Sequence, residues 1–387
     1  MALNKDEVNF RIQNFRNLLK LNDLEIAIIS YPLHIFYFTG TFVKGILVIS
    51  LSEVKLLVNR PLERAKKESF VPCEPLTSLK KLPQYIKKLG NFKKIGIENH
   101  NLNHDLFQKF KEILSDYHLK KIDSFIFDIR KIKSAYEIDC IIKAGKNLDK
   151  AFKKVLSQMK PGMKEIEASA ILEKELRQRG HPGFTRSLFG FELSFGYLIS
   201  GKEAIVPTHF ITGQGGIGVP GFPGGASFKR LKVSEPILID FSGYYEGYYI
   251  DQTRMASFKP VKEAKEFFKV SLEIIKTLEK EIKPGIISGE VYEKAFFITQ
   301  KAGFQEYFMN HGENVKFVGH GVGLQIDEPP TLALNKKEIL KENMVIALEP
   351  KFHVPNLGVI GIEDTFVITS KGLKRINTTP RKWLEIR

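Results

Sequence analysis

Between residues 7 and 21 the apolar positions Val8, Ile12, Phe15, Leu18 and Leu19 recur at helical spacing, which predicts an amphipathic opening helix. The pattern then changes. Short apolar runs at 24–30, 45–51, 54–58 and 95–98, each bounded by turn residues, read as strands, and helical stretches at 62–69 and 79–89 alternate with them. Such alternation predicts an α/β domain that ends near residues 122 to 134. The segment 31–40, Tyr-Pro-Leu-His-Ile-Phe-Tyr-Phe-Thr-Gly, reads as a strand exit running into a loop. Beyond it, Ile138, Ile141, Ile142, Ala144, Leu148 and Phe152 mark a long helix stopped by Pro161-Gly162, and a second helix covers 165–179.

Residues 236–254 carry the next change of period. The runs 237–241 and 248–253 are rich in β-branched and aromatic residues, and Tyr245-Glu246-Gly247 supplies a turn, so the stretch reads as a β-hairpin. With Tyr245 and Glu246 at the tip, Asp240 falls opposite Asp251. Cross-strand partners lie about 4.5–5.5 Å apart at Cβ, and two like charges at that distance call for a cation or a shared proton between them. Two solvated aspartates beside a turn are the plainer alternative. Helices follow at 264–281 and 288–302. The phrases Lys160-Pro-Gly-Met and Lys283-Pro-Gly-Ile each join two helices, which suggests an internal duplication.

Composition narrows the class. A chain of 387 residues with 43% hydrophobic and 27% charged residues is long enough for two or three soluble domains. Its polar start and the lack of a run of about 20 apolar residues predict a cytoplasmic protein without a membrane span. Only Cys73 and Cys140 are present, and they read as free thiols. The net charge of +15 raises the question of nucleic acid, but the lysines come as scattered pairs without a basic stripe or a binding signature. The Gly-rich run 213–225 lacks the ending of a phosphate loop and reads as a long active-site loop.

Three more residues interrupt apolar surroundings. His320 lies between glycines in Gly319-His-Gly321, Glu349 ends the run 345–349, and Glu363 breaks the run 360–368. A charge in a buried strand is costly unless it is paired or binds a metal. Asp240, Asp251, His320, Glu349 and Glu363 together offer four carboxylates and one imidazole. Oxygen-rich ligation with a single histidine suits Mn, Co, Fe or Zn in a two-metal site better than a structural zinc site. His34, His100 and His104 show no metal spacing and read as structural or surface histidines.

The order Asp-x10-Asp, Gly-His-Gly and Ile362-Glu-Asp-Thr365, with 31–40 and Arg130-Lys-Ile-Lys-Ser-Ala-Tyr-Glu137 upstream, resembles the pita-bread metallopeptidases, and within them the aminopeptidase P and prolidase branch. The resemblance implies a creatinase-like α/β domain over 1–128 and an α+β pita-bread domain over 129–387 with a curved antiparallel sheet covered by helices. It further implies two divalent ions, with Asp240 on one, His320 and Glu349 on the other, and Asp251 and Glu363 bridging. A hydroxide held between the ions would be the nucleophile, and Glu349 the proton shuttle. His209 matches a substrate-contacting histidine, the substrate would be a short peptide cut at its N-terminal bond, and a homodimer is expected.

Two departures stand out. Asp327 occupies the place of a second histidine that donates a hydrogen bond to the substrate carbonyl, and a carboxylate can only accept. Gly361 stands where an arginine often orients an aspartate ligand. Both features leave open a non-peptidase hydrolase or lyase on the same scaffold, or an inert binding protein that has kept the fold.

Overall fold

Asn4 caps the first turn by accepting from the Glu7 amide, and Lys5–Leu21 coils into α1 with Val8, Ile12, Phe15 and Leu19 buried. The computed structural model describes residues 2–190, 192–210, 213–309 and 315–386. Its backbone divides into two compact units, one ending at Arg130 and the other beginning at Lys131. The first unit continues through β1 (Ile26–Ile29), α2 (Pro32–Thr39), β2 (Lys44–Ser50), β3 (Val54–Arg60), α3 (Leu62–Glu68), β4 (Cys73–Pro75), α4 (Leu82–Leu89), β5 (Lys94–Ile97), α5 (His104–Ile113) and β6 (His118–Lys121), and α6 (Asp123–Lys131) closes it. The six strands form one mixed sheet in the order β4-β3-β2-β1-β5-β6. Ile26, Ile28, Val48, Ile95 and Phe110 share its core.

The segment expected as a strand exit and loop is instead the helix α2. Pro32 at its first turn needs no amide partner, and Gly40, with φ of 85°, caps the end in the left-handed conformation. His34 is buried on this helix between the Glu98 carboxylate and Arg130 Nη1, which lies 2.8 Å from its Nε2. It is a structural histidine.

The second unit opens with α7 (Ala135–Leu156), started by a capping box between Ser134 and Glu137, and α8 (Glu165–Gln178). Two short strands, β7 (Thr185–Arg186) and β8 (Glu192–Leu193), precede β9 (Gly196–Ser200), β10 (Ile237–Tyr245) and β11 (Tyr248–Ser257). Then come α9 (Lys265–Glu281), α10 (Ser288–Lys301), β12 (Phe317–Gly321), β13 (Glu328–Ala333), β14 (Val345–Leu348), β15 (Lys351–Val354), β16 (Gly358–Gly361), β17 (Asp364–Thr369), β18 (Gly372–Arg375) and β19 (Leu384–Glu385). The strands make a four-stranded sheet β19-β11-β10-β9, a five-stranded sheet β13-β12-β14-β17-β18 and a ribbon β15-β16. All pairings in these sheets are antiparallel except β11 with β19. Helix α7 packs on β10 and β11, and α9 packs on β16 and β18. Among the described residues no helix is long and apolar enough to cross a membrane.

The hairpin forms, but its register is offset from the expected one. Glu246 and Gly247, with φ of 49° and 96°, make the two-residue turn, so Asp240 pairs with Thr253 and Asp251 with Ser242. A two-residue turn with both central φ angles positive needs glycine as a central residue, which moves the tip one residue along. The two aspartates remain on one face as diagonal neighbours.

The duplication is visible in the backbone. Gly162 and Leu231 exchange bonds through Gly162 N to Leu231 O and Leu231 N to Met163 O, both 2.8 Å. Gly285, Leu340 and Ile286 repeat this pair of bonds at the same distances. Nine residues after Leu231 stands Asp240, and nine after Leu340 stands Glu349.

Candidate metal centre

Each half of the duplication places a carboxylate nine residues after its leucine, Asp240 within β10 and Glu349 just after β14, and the site grows from that. Asp240 lies on β10, Asp251 on β11, His320 on β12, Glu349 directly after β14, and Glu363 in the two-residue link between β16 and β17. The glycines beside His320 permit the close strand approach that places it: a Cβ on Gly319 would stand 2.1 Å from the Ala347 carbonyl oxygen. His320 Nδ1 is 3.2 Å from the Gly321 carbonyl, so it donates there and Nε2 faces the carboxylates. Around Nε2 lie Glu349 Oε1 at 3.3 Å, Glu363 Oε1 at 3.9 Å and Asp251 Oδ2 at 4.0 Å.

Supporting bonds fix these groups. Thr253 Oγ1 donates to Glu363 Oε2 at 2.8 Å, while Glu363 Oε1, also buried, has no hydrogen-bond partner among the described residues. Buried Arg254 donates to the Glu363 carbonyl at 2.7 Å and to Asp364 Oδ1 at 2.6 Å, which ties the strand carrying Asp251 to the link carrying Glu363.

The electrostatics call for positive charge. Burial, and then the charge of Asp240, raise the Asp251 carboxyl well above the usual range, and burial with Asp251 does the same to Glu363. Burial works against the His320 imidazolium, yet the hydrogen bond and charge of Glu349, with Asp251 and Glu363, push it up to about 10. Burial likewise opposes the Glu349 carboxylate, but Lys351 and His320 hold it below its ordinary value.

Lys351 was not singled out by the sequence patterns. It is wholly buried, and its Nζ donates to Gln214 Oε1 at 2.7 Å, Asp240 Oδ2 at 2.9 Å and Glu349 Oε2 at 2.7 Å. Glu363 Oε2 is 3.7 Å away. Burial disfavours its charge, but Asp240, Glu349 and Glu363 raise its pKa well above the ordinary lysine value. Gly361 pairs directly with Lys351 across β15 and β16. Lys351 thus sets its ammonium against Asp240 from the strand that pairs with Gly361.

A donor set of three carboxylate oxygens and one imidazole nitrogen fits a divalent ion. Two ligands each about 2.1 Å from one ion lie no more than about 4.2 Å apart, and the three separations from His320 Nε2 meet that limit. Among the described residues Asp251, His320 and Glu363 form a group whose ligand atoms lie within 4.8 Å of one another, and neither Asp240 nor Glu349 joins it.

These residues border a cavity of about 90 Å³ whose other walls include Phe195, Tyr197, Phe317 and Ile326. Asp327 also lines it, but both its oxygens are engaged, accepting from Ser187 Oγ at 2.5 Å and from the Leu188 amide at 2.6 Å. Gln214, at the start of the Gly-rich run, reaches the same cavity. His209 does not. It is exposed, with its ring 4.0 Å from that of Phe210. Ser242, opposite Asp251, is a further wall residue that sequence patterns did not mark, and His181 sits behind it with Nε2 3.3 Å from its Oγ.

The comparisons with known proteins agree with this geometry. The sequence model of metallopeptidase family M24 matches residues 139–370, and that of the creatinase/prolidase N-terminal domain matches residues 11–132. A Xaa-Pro dipeptidase of Pyrococcus furiosus is 30% identical over 97% of this chain and 99% of its own. The crystal structure of the prolidase from Pyrococcus horikoshii superposes with a TM-score of 0.81 at 29% identity, covering 97% of this chain and 99% of that one. A Xaa-Pro dipeptidase from Bacillus anthracis gives 0.84 at 26% identity, with the same coverage. A two-unit fold with a creatinase-like first domain, a pita-bread second domain and a cavity floored by carboxylates places the chain in metallopeptidase family M24, as a metal-dependent peptidase.

Proposed function

We propose that this protein is an exopeptidase that hydrolyses the N-terminal bond of short peptides, Xaa-Pro dipeptides among them. The observation that carries the reading is the convergence of Asp251, Glu349 and Glu363 on His320 Nε2 beside a small cavity with apolar walls. A space of about 90 Å³ suits the end of a short peptide. The full-length similarity to proteins named as Xaa-Pro dipeptidases supports the choice of substrate.

In this reading Asp251, His320, Glu349 and Glu363 hold a divalent ion, with Mn, Co, Fe or Zn suited to the donor set. Such an ion supplies polarisation of the scissile carbonyl and a water acidic near neutrality. The rest falls to side chains. Glu349, a wall residue of the cavity with Oε1 3.3 Å from His320 Nε2, takes the proton of the attacking water and delivers it to the leaving nitrogen. Phe195 and Tyr197 pack against the substrate side chains. Asp327, whose oxygens keep further acceptor positions beside the bonds from Ser187 and Leu188, braces the cavity wall and accepts from the substrate's terminal ammonium. His209 is left out of the assignment because of its exposure.

The test is release of free amino acid from a panel of Xaa-Pro and Xaa-Ala di- and tripeptides by protein loaded in turn with Mn, Co, Fe or Zn. Activity is expected with at least one metal and should vanish in Asp251→Ala. Tight metal binding without cleavage of any peptide would move the search to non-peptide substrates.

A further inference from the structure

The resemblance to two-metal peptidases predicts two cations between Asp240 and Glu349, and one of those places is filled from within the chain. We infer that Lys351 substitutes for the second metal ion, so that this protein works with a single divalent ion held by Asp251, His320, Glu349 and Glu363. The inference rests on the reading of those four residues as a metal site, and it holds whatever the substrate is.

Three observations carry it. The Lys351 ammonium has three N–H donors, and Gln214 Oε1, Asp240 Oδ2 and Glu349 Oε2 take all three at 2.7–2.9 Å. A cation so placed leaves Asp240 one oxygen without this partner, whereas an ion held mainly by Asp240 would need that carboxylate together with one oxygen each from Asp251 and Glu363. Second, Asp251, His320 and Glu363 approach within the reach of one ion; neither Asp240 nor Glu349 belongs to that group, but Glu349 brings Oε1 to 3.3 Å from His320 Nε2. Third, the free valence is on the other side. Glu363 turns Oε2 toward Thr253 and Lys351 and leaves Oε1, buried and unbonded, toward His320. A buried carboxylate oxygen without a donor is costly, and one ion at the His320 side satisfies it.

The stem of the lysine is accommodated by its neighbour. A Cβ on Gly361 would stand 2.6 Å from Lys351 Cγ, 2.7 Å from the Pro350 carbonyl oxygen and 2.9 Å from Lys351 Cα, so both the lysine stem and the backbone beside it require glycine there. Removing the Lys351 side chain with Gly361 kept should reopen the second cation's place.

The experiment is metal content by mass spectrometry after equilibration with excess Mn(II) and removal of loosely bound ion, with the electron paramagnetic resonance spectrum of the same sample. One ion per chain and an uncoupled Mn(II) signal are expected for the natural protein. Two ions and an exchange-coupled signal are expected for Lys351→Gly, a doubling of the stoichiometry. Two ions in the natural protein overturn the inference, as does a folded Lys351→Gly variant that still takes only one. Should the variant fail to fold, the natural protein's stoichiometry and spectrum decide alone. A natural protein that binds no ion overturns the metal-site reading and this inference with it, whereas loss of peptide cleavage at a stoichiometry of one touches only the proposed substrate.

Discussion

His181 illustrates what a single buried ring does to this molecule. Its Nδ1 accepts from the Gly183 amide at 3.2 Å, so the proton sits on Nε2 and points to Ser242 Oγ, while Phe195 stacks on the ring at 4.5 Å. Burial, assisted by the charge of Arg177, pushes its pKa down to about 3. The unfolded chain takes up that proton near 6.5 and the folded chain only near 3, so between those values the unfolded state binds more protons and stability rises with pH. The contribution is complete above about pH 6.5 and is lost as pH falls toward 3. Urea unfolding at stepwise pH should show His181→Gln with a shallower acid slope than the natural protein, by up to about 1.4 kcal/mol per pH unit. Equal slopes would mean that the ring is already charged in the folded state. At this scale the sequence was informative where a charge broke an apolar run, as at Glu349 and Glu363. It was silent on Lys351, because a lysine after Glu-Pro looks like a solvated strand start until Gln214 and Asp240, over 100 residues away, are brought to it.

Among the elements, the hairpin β10-β11 depends on what lies beneath it. Gly243 faces α7, and a Cβ there would meet the Ala144 carbonyl oxygen at 2.6 Å and Leu148 Cβ at 2.9 Å. Neither neighbour can swing away, since one is helix backbone and the other is the root of a buried side chain. Gly243→Ala must therefore push the helix off the strands that carry Asp240 and Asp251. Overpacking of this kind costs about 1–3 kcal/mol, and a fall in Tm of several degrees is expected by calorimetry, with weakened metal retention. An unchanged Tm would show that α7 can shift at no cost. The existence of these elements was legible from hydrophobic period, including both helix pairs and the two strands of the hairpin. Register was not, because moving the tip by one residue changes every cross-strand partner while leaving the alternation of faces intact. Segment 31–40 misled for a related reason: it is mostly apolar, broken only by His34 and Thr39, and a short apolar run reads equally as strand or buried helix.

At the scale of the whole second unit, the candidate metal centre joins the two halves of the duplication. Asp251 comes from the half that follows Lys160-Pro-Gly, and His320, Glu349 and Glu363 come from the half that follows Lys283-Pro-Gly. Direct bonds already join the two sheets near the site: Thr253 pairs with Glu363 as an isolated bridge, Arg254 bonds the Glu363 carbonyl, and Thr365 Oγ1 accepts from the Asp251 amide and donates to its carbonyl. An ion bound only by the folded arrangement stabilises it by RT ln(1 + [L]/Kd), or about 2.7 kcal/mol at a hundred times Kd. Because its ligands lie on both sheets, that free energy cannot stay in one of them. Hydrogen exchange measured with Mn(II) at a hundred times its Kd and again with a chelator should show slower exchange with the ion in 237–257 and in 345–368 together, by up to about a hundredfold where exchange requires the unit to open. Protection confined to 345–368 would mean that the ion is held by one half alone and that Asp251 is not among its ligands.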